Sequence, residues 1–242
     1  MIREFEGIIL SETPYSESSK ILNILTKDNG LIGVIAKGAK KVKSKLRSGT
    51  QKFTIGKFNV YYHEGKLSTL ISVDITNSLP NTRTDIIKIG YLTYICDLTY
   101  QTVKQNNDNK IYSILIDAIN KIEEGLNPLV ITNILELKML DYLGVGINLD
   151  ECIMCGSKKD IITISGDSGG YICRNCHTNE LIYDNKTIKM FRVYYYVEIS
   201  SITDLKISDE VINNINTILT DYYDRYTGLY LKSKEFLKQI TT

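Results

Sequence analysis

Cys152-Ile-Met-Cys155 and Cys173-Arg-Asn-Cys176 form C-x2-C-x17-C-x2-C, and this spacing constrains the chain more than any other feature. Each pair sets two thiolates on one tight turn, and the residues between can fold as a hairpin that joins the pairs. Four soft sulfurs in a tetrahedral array suit zinc, and a closed four-ligand shell leaves no position for water or substrate. The spacing therefore predicts a structural zinc ion held by Cys152, Cys155, Cys173 and Cys176. Rival readings are a redox pair, which wants one C-x-x-C near a βαβ unit, and an iron–sulfur cluster. His177, next to Cys176, could also replace a cysteine as ligand. A site this compact can order a segment too small to build its own core.

The rest of the composition sets bounds. With 43% hydrophobic and 24% charged residues over 242 positions, the chain has enough apolar surface for a core and is neither fibrous nor wholly disordered. No apolar run approaches the roughly 20 residues of a membrane span. The start, Met1-Ile-Arg-Glu-Phe-Glu6, carries charges where a signal peptide would be apolar, so the expected location is the cytoplasm. Five cysteines there argue against a disulfide framework, and Cys96 falls on an apolar helical face as a core thiol. There is no G-x-x-x-x-G-K-[ST] and no H-E-x-x-H, and neither histidine opens an H-x-E. Gly166-Asp-Ser-Gly-Gly170 matches a trypsin-like nucleophile motif, but it sits inside the cysteine loop and reads as a Gly-rich turn. The expectation is a protein that is not an enzyme.

The first 80 residues read as strands, over Glu6–Glu12, Lys20–Thr26, Leu31–Lys37, Lys52–Tyr62 and Leu67–Thr76. Asn29-Gly30 and Glu64-Gly65 supply positive-φ turns. Five short strands in so few residues predict a five-stranded OB-fold β-barrel, commonly used for single-stranded nucleic acid. Phe53, Phe58, Tyr61 and Tyr62 are candidate base-stacking aromatics, although alternation buries about half of such residues. After Pro80 the period changes to helical, over Asp85–Lys104, Ile111–Glu124, Pro128–Leu143, Thr187–Glu198 and Glu210–Tyr226. The predicted class is α+β, with an OB-fold domain at 1–80 and a helical domain at 81–242 containing an inserted four-cysteine zinc finger at about 147–180.

Charge is unevenly placed. From Leu31 to His63 there is no Asp or Glu, yet the segment holds Lys37, Lys40, Lys41, Lys43, Lys45, Arg47, Lys52 and Lys57. Its net charge is +8, so the remainder must be −7 for the total of +1. Lysines beside the small residues Gly38 and Ala39 suit a phosphate backbone, which they neutralise with release of counterions. The bland alternative is a solvated loop that binds nothing. Absence of acids over the whole stretch favours a polyanion, with Lys37, Lys40, Lys41, Lys43, Lys45 and Arg47 as DNA-binding candidates. Two other classes remain open from the residues alone. A metal-dependent nucleic-acid enzyme would need an open zinc position, and a zinc-containing RNA-binding or transcription-associated module could use the same barrel. Lys232 and Lys234 could extend the basic surface or merely solvate a helix end.

Several stretches, in order and nearly end to end, resemble the RecO family of bacterial recombination mediators. Tyr15-Ser-Glu17-Ser-Ser-Lys-Ile21, Thr26, Gly30, Ala36-Lys-Gly-Ala-Lys-Lys41 and Ser44-Lys45-Leu46 resemble its N-terminal signature. Leu135-Glu-Leu-Lys-Met-Leu-Asp-Tyr-Leu-Gly144, Cys152-Ile-Met-Cys-Gly156 and Gly169-Gly-Tyr-Ile-Cys-Arg-Asn-Cys176 resemble its central helix and zinc module, and Leu231-Lys-Ser-Lys-Glu-Phe-Leu237 its C-terminal motif. Ile147 departs from a proline frequent in the family. The resemblance implies binding of single- and double-stranded DNA and annealing of complementary strands. It also implies DNA repair with RecR, RecA loading onto strands coated by single-stranded-DNA-binding protein (SSB), contact with the SSB C-terminal tail, an association with RecF, and a nucleoid location.

Overall fold

The N-terminal strands form where β-branched and aromatic residues alternate between turn formers. In the computed structural model, which describes residues 1–241, these are β1 (Ile2–Pro14), β2 (Lys20–Thr26), β3 (Gly30–Ala36), β4 (Ile55–Tyr61) and β5 (Ser68–Asn77). They close into a barrel in the order β1-β2-β3-β5-β4. The length of β1 lets it serve two neighbours. Ile2–Ile8 run antiparallel to Tyr61–Ile55, and Gly7–Pro14 run antiparallel to Thr26–Lys20. A bulge between Ile9 and Ser11 bends the strand from one partner toward the other.

Gly7 lies opposite Gly56 at the point where β1 is shared. A Cβ on Gly7 would sit 2.7 Å from the Leu25 carbonyl oxygen, and one on Gly56 would strike the Asp74 carbonyl. The glycine pair therefore permits the close strand approach of a small barrel. Parallel pairing of Val34 with Ser68 and of Ile35 with Thr69 completes the closure, the connectivity of an OB-type barrel. Ile9, Leu22, Ile24, Val34, Phe58 and Val60 fill the interior with no exposed surface. Each such burial is worth about 1.5–3 kcal/mol over leaving the side chain in water.

The helices are α1 (Pro80–Arg83), α2 (Ile86–Gln105), α3 (Lys110–Glu123), α4 (Pro128–Tyr142), α5 (Asn185–Tyr196), α6 (Asp209–Tyr226) and α7 (Lys232–Thr241). Local chemistry sets their starts. The Asp85 carboxylate accepts from the Ile87 and Lys88 amides at 2.9 and 3.2 Å at the head of α2. Asn127 accepts from Leu129 and Val130 ahead of Pro128 in α4, and Asp184 accepts from Thr187 in α5. No helix is long and apolar enough to cross a membrane, among the described residues.

The chain divides into two compact units. One comprises residues 1–116 together with the segment from Leu231 onward, so that α2 and the C-terminal α7 pack with the barrel's own chain. The other is 117–230, in which α4, α5 and α6 pack together. This second unit also holds a small sheet of β6 (Asn148–Cys152), β7 (Ile161–Ser165) and β8 (Gly170–Cys173) in the order β6-β8-β7. Gly166–Gly170 turns the chain from β7 into β8, with Ser165 paired to Gly170 and Gly169 at φ 83°. The protease-like motif is thus a hairpin turn.

Candidate nucleic-acid interface and metal centre

The basic residues lie on the connection between β3 and β4. This connection is a series of tight turns rather than a strand or helix: Lys41 N–H donates to the Gly38 carbonyl at 3.1 Å, Ser44 to Lys41 at 3.0 Å and Arg47 to Ser44 at 3.2 Å. Small and apolar members of the loop face inward. Ala39 and Thr50 are fully buried, and Leu46 packs against the barrel core. The Thr50 hydroxyl donates to the Leu46 carbonyl at 2.8 Å, which ties the end of the turn series down.

Lys37, Lys40, Lys41, Lys43, Lys45 and Arg47 are all exposed to solvent. Among the described residues none of the six forms an ion pair with a carboxylate. The structure brings all six sequence-predicted residues together on one anchored loop. By contrast Lys20, just outside it, is tied to Glu12 at 2.7 Å, and Lys57 lies 3.7 Å from Glu4. The charge imbalance also follows the packing units. The barrel-containing unit holds 19 basic and 11 acidic side chains, a net +8, and residues 117–230 hold 10 and 17, a net −7.

A second segment holds this loop, and sequence reasoning missed it. The turn between β1 and β2 runs through Tyr15–Ser19, and the Lys40 amide donates to the Ser18 carbonyl at 2.9 Å. The Lys40 ammonium donates to the Ser16 carbonyl at 3.2 Å, and the Gly38 amide to the Ser19 hydroxyl at 3.3 Å. Two of these acceptors are backbone carbonyls, which any residue supplies, so no local pattern advertises the contact.

The proposed stacking aromatics divide sharply. Phe58 has no exposed surface and Phe53 only 7%, so neither is a platform. Each occupies the inward side of its strand or turn. Tyr62 is half-buried, with its ring 5.2 Å from that of Phe5, the Arg3 guanidinium over its face and its hydroxyl accepting from Asn29. Tyr61 is half-exposed at the end of β4, paired with Thr69, which in turn pairs with Ile35 just ahead of the basic loop.

The cysteines converge. Cys152 ends β6 and Cys173 ends β8, and each is followed by a turn that carries its partner, Cys155 or Cys176. The Gly156 amide donates to the Cys152 carbonyl at 2.8 Å, with Gly156 at φ 72°, while the Cys176 and His177 amides donate to the Cys173 carbonyl. All four sulfurs lie within 4.8 Å of one another. Sγ of Cys155 and Sγ of Cys173 are 3.7 Å apart. That is far longer than a disulfide, and it matches the edge of about 3.8 Å for a tetrahedron with metal–sulfur bonds of about 2.3 Å. Burial works against the Cys152 thiolate, but N–H groups of Cys173, Met154 and Cys155 outweigh it and bring its pKa down to about 6. The set fits a structural metal ion. His177 lies outside the cluster, its Nε2 2.9 Å from the Glu180 carbonyl oxygen. Cys96 is fully buried, and that burial raises its thiol to about 12. It is a core residue.

A closed OB-type barrel with one anchored cationic loop, followed by helices interrupted by a four-cysteine cluster, defines the structural class. The chain matches the family model "Recombination protein O N terminal" over residues 1–79 and "Recombination protein O C terminal" over 83–235. It belongs to the RecO family. It is 32% identical over 239 residues to the DNA repair protein RecO of Listeria monocytogenes serotype 4a (strain HCC23), covering 97% of this chain and 93% of the relative. The DNA repair protein RecO of Bacillus pumilus (strain SAFR-032) is 32% identical over 244 residues, covering 99% and 95% respectively.

Proposed function

We propose that the protein is a DNA repair and recombination mediator that binds single- and double-stranded DNA through Lys37, Lys40, Lys41, Lys43, Lys45 and Arg47. It anneals complementary strands without ATP and, with RecR, helps to load RecA onto SSB-coated single strands in a pathway that includes RecF. The SSB C-terminal tail is a further partner, and the protein acts in the cytoplasm at the nucleoid. The observation that carries this reading is the anchored loop with six exposed cations, none in an ion pair with a carboxylate among the described residues. Membership of the RecO family supplies the context. Residues 1–80 serve as the DNA-binding domain and 81–242 as the helical domain with its finger at about 147–180.

The physics needs no enzyme. Two strands approach against the repulsion of their phosphates, and a cationic surface lowers that barrier while releasing condensed counterions. Base pairing then drives the reaction forward, so no nucleotide need be hydrolysed. The chain acts as a binding surface and not as a catalyst of bond cleavage. Zn2+ is the metal that suits Cys152, Cys155, Cys173 and Cys176. Held there it supplies four bonds that cross-link the two turns. Four sulfur ligands complete its shell, so it has a structural role.

The test is fluorescence annealing of complementary single strands without ATP across a salt series. Annealing that fades steeply with salt supports the reading. DNA binding without annealing would reduce the protein to a scaffold, and no DNA binding would refute the assignment.

A further inference from the structure

We propose that Tyr15 is a base-stacking residue that gives the basic loop its preference for single-stranded over duplex DNA. The inference rests on the DNA-binding reading above and adds to it the element that reads strandedness. Lysines neutralise phosphates, which single strands and duplexes both present, so the six cations alone discriminate little between them. Discrimination requires contact with base faces, which a duplex hides within its stack and a single strand exposes.

Tyr15 is 59% exposed, and among the described residues its ring meets no other aromatic ring and no cation. A single exposed tyrosine is ordinary by itself, and the significance of this one lies in its location. The Tyr15 amide donates to the Ser19 carbonyl at 3.0 Å and so closes the turn. The next residue, Ser16, offers its carbonyl to the Lys40 ammonium at 3.2 Å, and Ser18 takes the Lys40 amide at 2.9 Å. The ring is thus carried on a turn fastened to the middle of the cationic loop. A base stacked on Tyr15 would have its phosphates beside Lys40 and its neighbours.

Three of the remaining candidate aromatics of the barrel do not compete for this role. Phe53 and Phe58 are buried, and Tyr62 is packed on Phe5 and capped by Arg3. Tyr61 pairs with Thr69, which in turn pairs with Ile35 just ahead of Lys37, so it borders the start of the loop, whereas the turn of Tyr15 is fastened at Lys40 in its middle. The position also fits general OB-fold practice, in which the loop between the first two strands borders the nucleic-acid groove.

Three variants of the full chain test the proposal: Tyr15→Ala, Tyr15→Phe and Tyr15→Trp. Affinities for a thymidine oligonucleotide and for a duplex of equal length are read by anisotropy over a salt series. Stacking on one residue predicts that Tyr15→Ala weakens single-strand binding about 5- to 150-fold. Duplex affinity should change less than about twofold, the salt slope should stay as in the parent, and Tyr15→Phe should restore binding. The chain has no tryptophan, so Tyr15→Trp introduces a lone reporter. Its emission should be quenched by the thymidine strand and not by an abasic strand of the same charge.

Unchanged single-strand affinity in Tyr15→Ala overturns the proposal, as does an equal loss for both forms of DNA, which would mark a turn-stabilising role. If Lys40→Glu abolishes binding while Tyr15→Ala does not weaken it, the basic loop stands and only the stacking role fails. A parent chain that binds no DNA overturns both.

Discussion

Ser233 of α7 donates its hydroxyl to the Asp97 carboxylate of α2 at 2.7 Å, across 136 positions of sequence. The bond places the C-terminal helix in the same compact unit as the N-terminal barrel. Beside it, Gly90 of α2 leaves the space that the Ile240 side chain fills, with Leu237 Cδ1 3.1 Å from where a Cβ would stand.

Gly90→Leu should therefore push α7 off α2. Overpacking of this kind costs about 1–3 kcal/mol. Urea denaturation should show a lower midpoint. An unchanged midpoint would mean that α7 contributes nothing to the unit.

Lys40→Glu with Lys41→Glu removes two cations from the loop and adds two anions. For every phosphate that the variant no longer neutralises, the plot of log affinity against log salt should flatten by about 0.7 for single strands. The double variant should bind DNA far more weakly at moderate salt, with a shallower slope. Parent-like affinity would remove the loop from the interface.

Metal loss should act on folding first. Cys152→Ala with Cys155→Ala, or a strong chelator, should lower the thermal midpoint and increase proteolysis between Asn148 and Cys176. Elemental analysis of the parent should give one zinc per chain. A stable, metal-free double variant with parent-like melting would contradict a structural role.

Gly7→Ala and Gly56→Ala test the barrel corner. Each Cβ meets a backbone carbonyl of a neighbouring strand, Leu25 or Asp74, which cannot swing aside as a side chain would. Each substitution should cost about 1–3 kcal/mol by chemical denaturation. A neutral result would show that the strands can separate at this point.

Asp117 offers a pH test. Burial raises its carboxyl above the ordinary range, Lys121 opposes the shift and Glu198 adds to it. A raised folded-state pKa means that ionisation disfavours the fold. The penalty is absent at acid pH, where both states are protonated, and sets in as pH rises through the ordinary aspartate range. It levels off above the raised folded-state value. Asp117→Asn should thus gain stability over the parent at neutral pH and lose that advantage in acid. An advantage that does not depend on pH would point to another cause.

Much of the secondary structure follows from local chemistry. β2 is found at Lys20–Thr26 as its residues predict, and Asp85 and Pro128 stand where α2 and α4 begin. A strand's alternation and a helix's cap are decided within a few residues, so the sequence carries them in readable form. The cysteine spacing is legible for the same reason, since a C-x2-C turn is a local object. The lysines of the basic loop could be read from the absence of acids around them.

Contacts between distant segments were decided only by the tertiary structure. The residues before Glu6 in β1 include the charged Arg3 and Glu4, yet they are strand because β4 supplies their hydrogen bonds. Phe58 and Tyr61 are both aromatic members of β4, and closure of the barrel buries one and leaves the other half-exposed. The turn that carries Tyr15 is joined to Lys40 through the Ser16 and Ser18 carbonyls, and Ser233 reaches Asp97 across most of the chain. Composition and spacing determined which elements form, which sulfurs can meet around a metal and where the cations cluster. Only packing fixed which faces remain in solvent, because burial depends on every segment that shares the core.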